Sequence, residues 1–315
     1  MIKKDVDWFA VGILITAMMV WASSFIALKS AIGPIGPMSA IFGRMFIASL
    51  CFLYFIKGFM KLKFTKDDIK YIALMVAFEP CMYFMFEVKA LQYTTAGQAG
   101  MITSMMPLIT AVGAGIFLKE IISKKLIIGS FVAVIGAVWL SVSASGSESA
   151  TNPLLGNTLE FFAMICAAGY AISIRHLTKK FSALFLTAIQ AFIGCLFFFP
   201  FALWEYNTTV MDFTQEALLW ILYLGAVVTL GGYGLFNYAL SRVEASKASM
   251  FINLIPVFTL LLAFLILGEK LTYIEMVASI VILSGVFITQ IPTERIKKAH
   301  LKRKARKRRL ARERL

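Results

Sequence analysis

Apolar runs of about 20 residues recur from one end of this chain to the other, and no other feature limits its fold so tightly. A helix rises 1.5 Å per residue, so ~20 apolar residues cross the ~30 Å hydrocarbon core of a bilayer. Only helices and closed barrels satisfy every backbone amide there. The chain is 60% hydrophobic with a mean hydropathy of +0.82, against about 45–50% apolar residues in soluble domains. The runs predict ten helices, near 8–28, 38–56, 70–91, 96–118, 126–145, 156–176, 182–203, 217–240, 246–267 and 272–291. The expected fold class is an all-α membrane protein with ten transmembrane helices.

Lys and Arg set the orientation, because cytoplasmic loops accumulate them. Of the 31 in the chain, 27 fall in the N-terminus, in 57–70, 119–125, 175–180 and 242–247, and in the tail after Pro292. The alternate connections "SASGSESATNPLLGN" and "WEYNTTVMD" carry none. Both termini are therefore expected in the cytoplasm, in a multi-pass protein of the cell membrane. The net charge of +14 is mostly topology, and the tail at 292–315 reads as a basic anchor near anionic headgroups rather than a nucleic-acid patch. The first apolar run is longer than a signal-peptide h-region and is expected to stay in the mature protein. Cys51, Cys81, Cys166 and Cys195 share no CxxC spacing, which points to packing rather than zinc or a disulfide framework.

The sequence also matches itself at an offset of 149 residues. "ALQYTTAGQAGMITSMMPLITAVGAGIFLKE" (90–120) overlies "ALSRVEASKASMFINLIPVFTLLLAFLILGE" (239–269) without a gap, with ten of 31 positions identical. Pro107 falls on Pro256, Thr110 on Thr259, Glu120 on Glu269 and, further on, Gly136 on Gly285. Five helices per unit force the second copy to enter the membrane from the opposite face. Inverted repeats of this kind characterise secondary transporters, whose substrate site lies near the midplane where the repeats meet.

These paired segments, with the paired "FLKE" and "ILGE" ends and the ten-helix pattern, resemble the EamA family of the drug/metabolite transporter superfamily. The resemblance covers 8–145 and 156–290, read as two EamA-like repeats. It implies a bundle of two inverted five-helix repeats that moves small metabolites such as amino acids, often outward. Lys119 departs from the glycine of "ILGE", a difference confined to one helix end.

Intramembrane polar residues supply the candidate site. Glu79, Tyr83 and Glu87 recur at i, i+4, i+8, one stripe on the third helix. A carboxylate at the bilayer centre costs roughly 2.5–3.5 kcal/mol on insertion scales, so such groups turn inward and mark pathways or proton relays. Glu79 could exchange a proton or pair with a substrate ammonium; Glu87 could do likewise, or pair with Lys89 or Lys29 near the interface. Tyr83 could bond the Glu79 carboxylate or fill space. In the second half "TLGGYGLFNYAL" offers Tyr233 and Asn237 at i, i+4, either lining the site or joining helices. Ser104 aligns with Asn253, each three residues before a paired proline, where a polar group binds substrate or satisfies backbone freed by a kink. Trp21 and Ser24 in "WASSF" are candidate cavity wall. Arg44 suits a substrate carboxylate, or snorkels to the interface. Gln190 reads as an interhelical hydrogen bond.

The function expected is a secondary transporter of small metabolites, best amino acids or their derivatives, working by alternating access. Protons are the candidate coupling ion. A proton-coupled exporter of cationic drugs is the alternative, since Glu79 fits both, and an intramembrane enzyme is the distant one. No HExxH, Ser/Lys pair, paired-Asp motif or GxxxxGKS is present, so no enzyme activity, cofactor, metal or nucleotide is called for, and oligomeric state leaves no mark on the sequence.

Overall fold

A computed structural model describes residues 8–59, 62–117, 124–143, 150–178, 180–240, 251–270 and 272–290. The tail at 292–315, Lys119 and Glu120 of "FLKE", and the basic stretch 242–247 lie outside the described residues.

The described residues are overwhelmingly helical, as a chain must be if lipid surrounds its backbone. The first helix, α1 (Trp8–Ile35), has 28 residues and is about 42 Å long, more than a bilayer core requires. It runs past the expected end at 28 because apolar and small residues continue to Pro34 and Ile35. Then come α2 (Pro37–Leu53), a single turn α3 (Ile56–Phe59), and a long rod made of α4 (Lys66–Val76), a π-helical turn (Ala77–Met82) and α5 (Tyr83–Tyr93). Next are α6 (Ala96–Ile102), a 3₁₀ turn (Thr103–Met105), α7 (Met106–Phe117) and α8 (Lys124–Ser143).

The second half begins with α9 (Pro153–Leu177) and α10 (Ala183–Thr208). It continues with α11 (Gln215–Leu222), a π-helical stretch (Tyr223–Gly232), α12 (Tyr233–Leu240), α13 (Ile255–Leu262) with a π turn (Ala263–Leu267), and α14 (Tyr273–Gln290). Among the described residues five helices are long and apolar enough to cross a membrane, and four shorter apolar helices accompany them. Large apolar side chains such as Phe131, Leu196, Leu265 and Phe287 face outward, an arrangement suited to lipid and not to water.

Helix ends leave unpaired amides, and this chain covers several with side chains. Thr65 forms a capping box with Asp68, which also pairs with Lys180 after α9. Asn152, Ser182 and Thr214 cap α9, α10 and α11. Two caps come from distant parts of the chain. Glu205 of α10 accepts from the Ser39 amide at 2.8 Å, and Glu269 accepts from Ala96 and Gly97 at 3.0 and 2.9 Å. A negative group at a helix N-terminus also complements the helix dipole. Gly36, just before α2, has φ 91°, and an added Cβ would stand 2.7 Å from the Glu205 carboxyl carbon, so glycine is required there twice over.

Small residues let the rods approach. α8 packs along α14, α2 along α10, α5 along α9, and α1 against α13 and the segment Tyr223–Leu240. In the first pair a Cβ on Gly136 would stand 2.7 Å from the Ile282 amide nitrogen, and one on Gly285 would stand 2.5 Å from that of Ala133. Both glycines face backbone, which has no side-chain freedom with which to yield. Gly285→Leu is therefore expected to destabilise the protein by at least the ~1–3 kcal/mol of an overpacked core, read as a lowered thermal unfolding midpoint in detergent. An unchanged midpoint would mean that the α8–α14 contact is looser than the backbone distances indicate.

Candidate functional site

The third rod breaks where its polar residue sits. Glu79 has φ −145° and ψ 117°, outside helical geometry, and Pro80 follows it without an amide hydrogen to donate. Glu79, Tyr83 and Glu87 therefore do not form the continuous stripe expected of a regular helix. The break separates Glu79 from the other two. Tyr83 donates to Glu87 Oε1 at 2.7 Å instead of to Glu79, as i, i+4 neighbours on unbroken α5.

The Glu79 carboxylate, 4% exposed, accepts instead from the hydroxyl of Tyr233, at the start of α12. Its backbone carbonyl accepts from Gln190 Nε2 of α10 at 3.4 Å, and Gln190 Oε1 accepts from Tyr170 of α9 at 3.2 Å. Side chains from three helices thus surround the break in a fourth. Arg44 of α2 completes the group. Buried and not snorkelling, it donates from Nε to Thr229 Oγ1 at 3.0 Å, stacks 4.4 Å over the Phe84 ring, and is the positive charge facing both Glu79 and Glu87. Thr229 lies in the π-helical stretch and donates five residues back to the Leu224 carbonyl. A small cleft beside these groups is lined by Met45, Pro80, Phe84, Thr187, Gln190, Thr229 and Tyr233.

Aromatic rings wall this region. Trp21 of α1 lies with its ring 5.0 Å from that of Tyr233 and 4.8 Å from Phe236, seated over Gly232, whose added Cβ would stand 2.9 Å from Trp21 Nε1. Trp21 Nε1 is buried without a hydrogen-bond acceptor among the described residues.

The structure brings Glu79, Tyr233, Arg44 and Trp21 together, and sets Tyr83 and Glu87 beside them. Ser24 and Ser104 instead bond back to the carbonyls of Trp21 and Met101, within their own helices. For Ser104 this follows from the 3₁₀ turn at Thr103–Met105, which presents the Met101 carbonyl to its hydroxyl. Asn253 sits in a turn before Pro256 with Oδ1 buried and without a partner among the described residues. Asn237 lies in α12, and its side chain is outside the described set.

Sequence reasoning did not single out Thr229 or the carboxylate of Glu160 on α9, nor the cluster in which Gln98 bonds Glu275 and Asn157. The Glu160 signal was available, a carboxylate inside the apolar run "TLEFFAMICAAGY". Thr229 was not legible, because a threonine that merely bonds its own backbone is common in membrane helices.

Comparison with known proteins follows the same outline. The profile of the EamA-like transporter family matches residues 8–142 and again 154–291. The chain belongs to the EamA-like transporter family. Like other EamA-like proteins it is a multi-pass membrane protein and a transporter. It is 30% identical over 289 residues to the uncharacterized transporter YetK of Bacillus subtilis, covering 88% of this chain and 86% of that one. An uncharacterized transporter of Archaeoglobus fulgidus is 24% identical, with 88% and 96% covered. A chloroplastic WAT1-related protein of Arabidopsis thaliana is 23% identical, with 89% and 69% covered. A solved crystal structure of another protein superposes with a TM-score of 0.59 at 15% identity, over 89% of this chain and 96% of that one, a likeness of fold.

The Tyr233 hydroxyl is the side-chain donor that the described structure gives the Glu79 carboxylate. Tyr233→Phe removes it while keeping the ring against Trp21. A buried acceptor left unsatisfied costs about 1–3 kcal/mol, so the thermal midpoint of the purified variant is expected to fall. A midpoint equal to wild type would mean that water replaces the hydroxyl and that the break at Glu79 is wet.

Proposed function

We propose that the cleft around Glu79 and Arg44 is the substrate site of a secondary transporter for amino acids or closely related small metabolites, carried outward across the cell membrane by alternating access. One observation carries this reading. A buried carboxylate and a buried guanidinium stand in one aromatic-walled region, each held by a hydroxyl from the segment Tyr223–Leu240. Opposite fixed charges suit a zwitterion. Arg44 offers a planar fork to a substrate carboxylate, Glu79 a counter-charge to its ammonium, and Trp21, Phe84 and Tyr233 apolar surface to its side chain. A lipophilic cation would meet repulsion from Arg44, which favours the metabolite over the cationic drug.

Ten membrane spans in two inverted repeats, with both termini cytoplasmic, form the frame of this proposal. The reciprocal contacts Gly136 on Ile282 and Gly285 on Ala133 support it, because residues 149 apart exchange roles across one interface. So does the loss of α geometry at both paired prolines, by the 3₁₀ turn before Pro107 and by the turn in which the Leu254 amide bonds the Phe251 carbonyl before Pro256. The outward direction is what the family resemblance implies. Protons are the proposed coupling ion, and the substrate gradient itself is the other available driving force.

The test is uptake of a radiolabelled L-amino-acid mixture by proteoliposomes, with and without an imposed pH gradient. Wild type should carry flux, and Glu79→Gln should reduce it about tenfold or more, since a hydrogen bond to a charged group, here the proposed one to the substrate ammonium, contributes about 1.5–3 kcal/mol. Wild-type flux in the variant would remove Glu79 from the site. Absence of flux in folded wild type would remove amino acids from the substrate class.

A further inference from the structure

A pair of carboxylates, Glu87 and Glu160, lies between α5 and α9, beside the cleft. These helices run antiparallel, and three contacts fix their register. A Cβ on Gly156 would stand 2.9 Å from the Ala90 carbonyl, one on Gly169 would stand 2.7 Å from the Phe78 ring, and the rings of Phe86 and Phe162 lie 5.8 Å apart. Counting from the three in turn brings Glu160 level with Phe86, Glu87 and Val88, a register centred on Glu87. The two carboxylates interact electrostatically, as that register requires.

Neither has the partners that a buried anion needs. Glu160 is 0% exposed, and both its oxygens lack a hydrogen-bond donor among the described residues. Glu87 is 3% exposed; Oε1 accepts from Tyr83 while Oε2 has no donor among the described residues. Other elements face the pair with few charges. Arg44 of α2 faces Glu87, but it also faces Glu79. Lys29 of α1 is turned to the carbonyls of Leu91 and Thr94 and toward Glu269. Glu79 and Tyr233 both act electrostatically on Tyr83, and Glu79 also faces Glu87. Among the described residues facing this region, one guanidinium stands against three carboxylates, which leaves negative charge unbalanced in a buried setting that disfavours an unpaired ion.

We propose that Glu87 and Glu160 form a proton-binding site in which one carboxyl donates its hydrogen to the other, carboxylate, oxygen. Uptake of one proton takes the pair from two negative charges to one and supplies the missing donor to an orphaned oxygen. No other bond forms or breaks. Two like charges sharing one site cannot both persist, which is why the pair takes a proton. In the transport cycle this pair, and not Glu79, is the point of proton uptake, which leaves Glu79 and Arg44 to the substrate. That last step rests on the function proposed above; proton binding itself does not.

Infrared titration of the purified protein in nanodiscs tests the site without any substrate. Wild type is expected to show a protonated-carboxyl C=O stretch at neutral pH, in potassium and in sodium buffer alike. Glu160→Gln is expected to abolish it, because Glu87 alone keeps Tyr83 and Arg44 and ionises. Glu87→Gln is expected to retain a carboxyl band shifted in frequency, because Glu160 loses its carboxylate acceptor; if Glu160→Gln does not fold, this shift decides. Three results overturn the proposal: no such band in wild type, a band unaltered in both variants or lost only in Glu79→Gln, or a band that sodium removes. Failure here leaves the amino-acid reading of the cleft intact, and failure of amino-acid flux leaves this site intact.

Discussion

A bilayer offers a backbone amide nothing to bond with, and the structure of this chain answers that single shortage. Long helices satisfy their own interiors. Their ends and breaks do not, and there the sequence places its few polar side chains. Glu205 and Glu269 reach across to the first amides of α2 and α6. Thr65, Asn152, Ser182 and Thr214 cap helices from within. Where the third rod gives up helical geometry at Glu79, Gln190 arrives from α10 to bond the Glu79 carbonyl. Several interior polar groups are thus tied to departures from regular helix, whereas Glu87 and Glu160 sit on regular helix. A site assembled at such departures can change shape without unwinding a whole span.

The chemistry of the cleft follows from asymmetry between halves that are related in sequence. Glu79 falls on Val228 at the 149-residue offset, so the charge is contributed once. The second half instead supplies hydroxyls, from Tyr233 and Thr229, and a glycine-rich turn on which Trp21 rests. Anion and cation come from the first half and their partners from the second, so the bonds cross between halves. Relative movement of the halves must therefore alter them.

Much of this was legible in the sequence because it depends on periodicity and composition. Apolar runs marked the chain as helical and membrane-spanning, and self-alignment paired Gly136 with Gly285, each of which packs against backbone of the facing helix in the α8–α14 pair. Residue types out of keeping with lipid marked Glu79, Arg44 and Tyr233. What the sequence withheld was local backbone geometry. A regular helix would have put Glu79, Tyr83 and Glu87 in one row, and the non-helical angles at Glu79 broke that row, so that Tyr83 bonded Glu87 and Tyr233 took Glu79. Register between helices distant in sequence was equally hidden. Glu160 gained its meaning only when Gly156 and Gly169 brought α9 against the third rod.

The grip of Glu269 on the amides of Ala96 and Gly97 has a consequence for how that end of the bundle parts. Withdrawing the carboxylate bares both an anion and the positive end of a helix, and both then need new partners. Water must take their places as they separate. Any parting at that end would thus be joined to wetting, a link set by one side chain holding two amides.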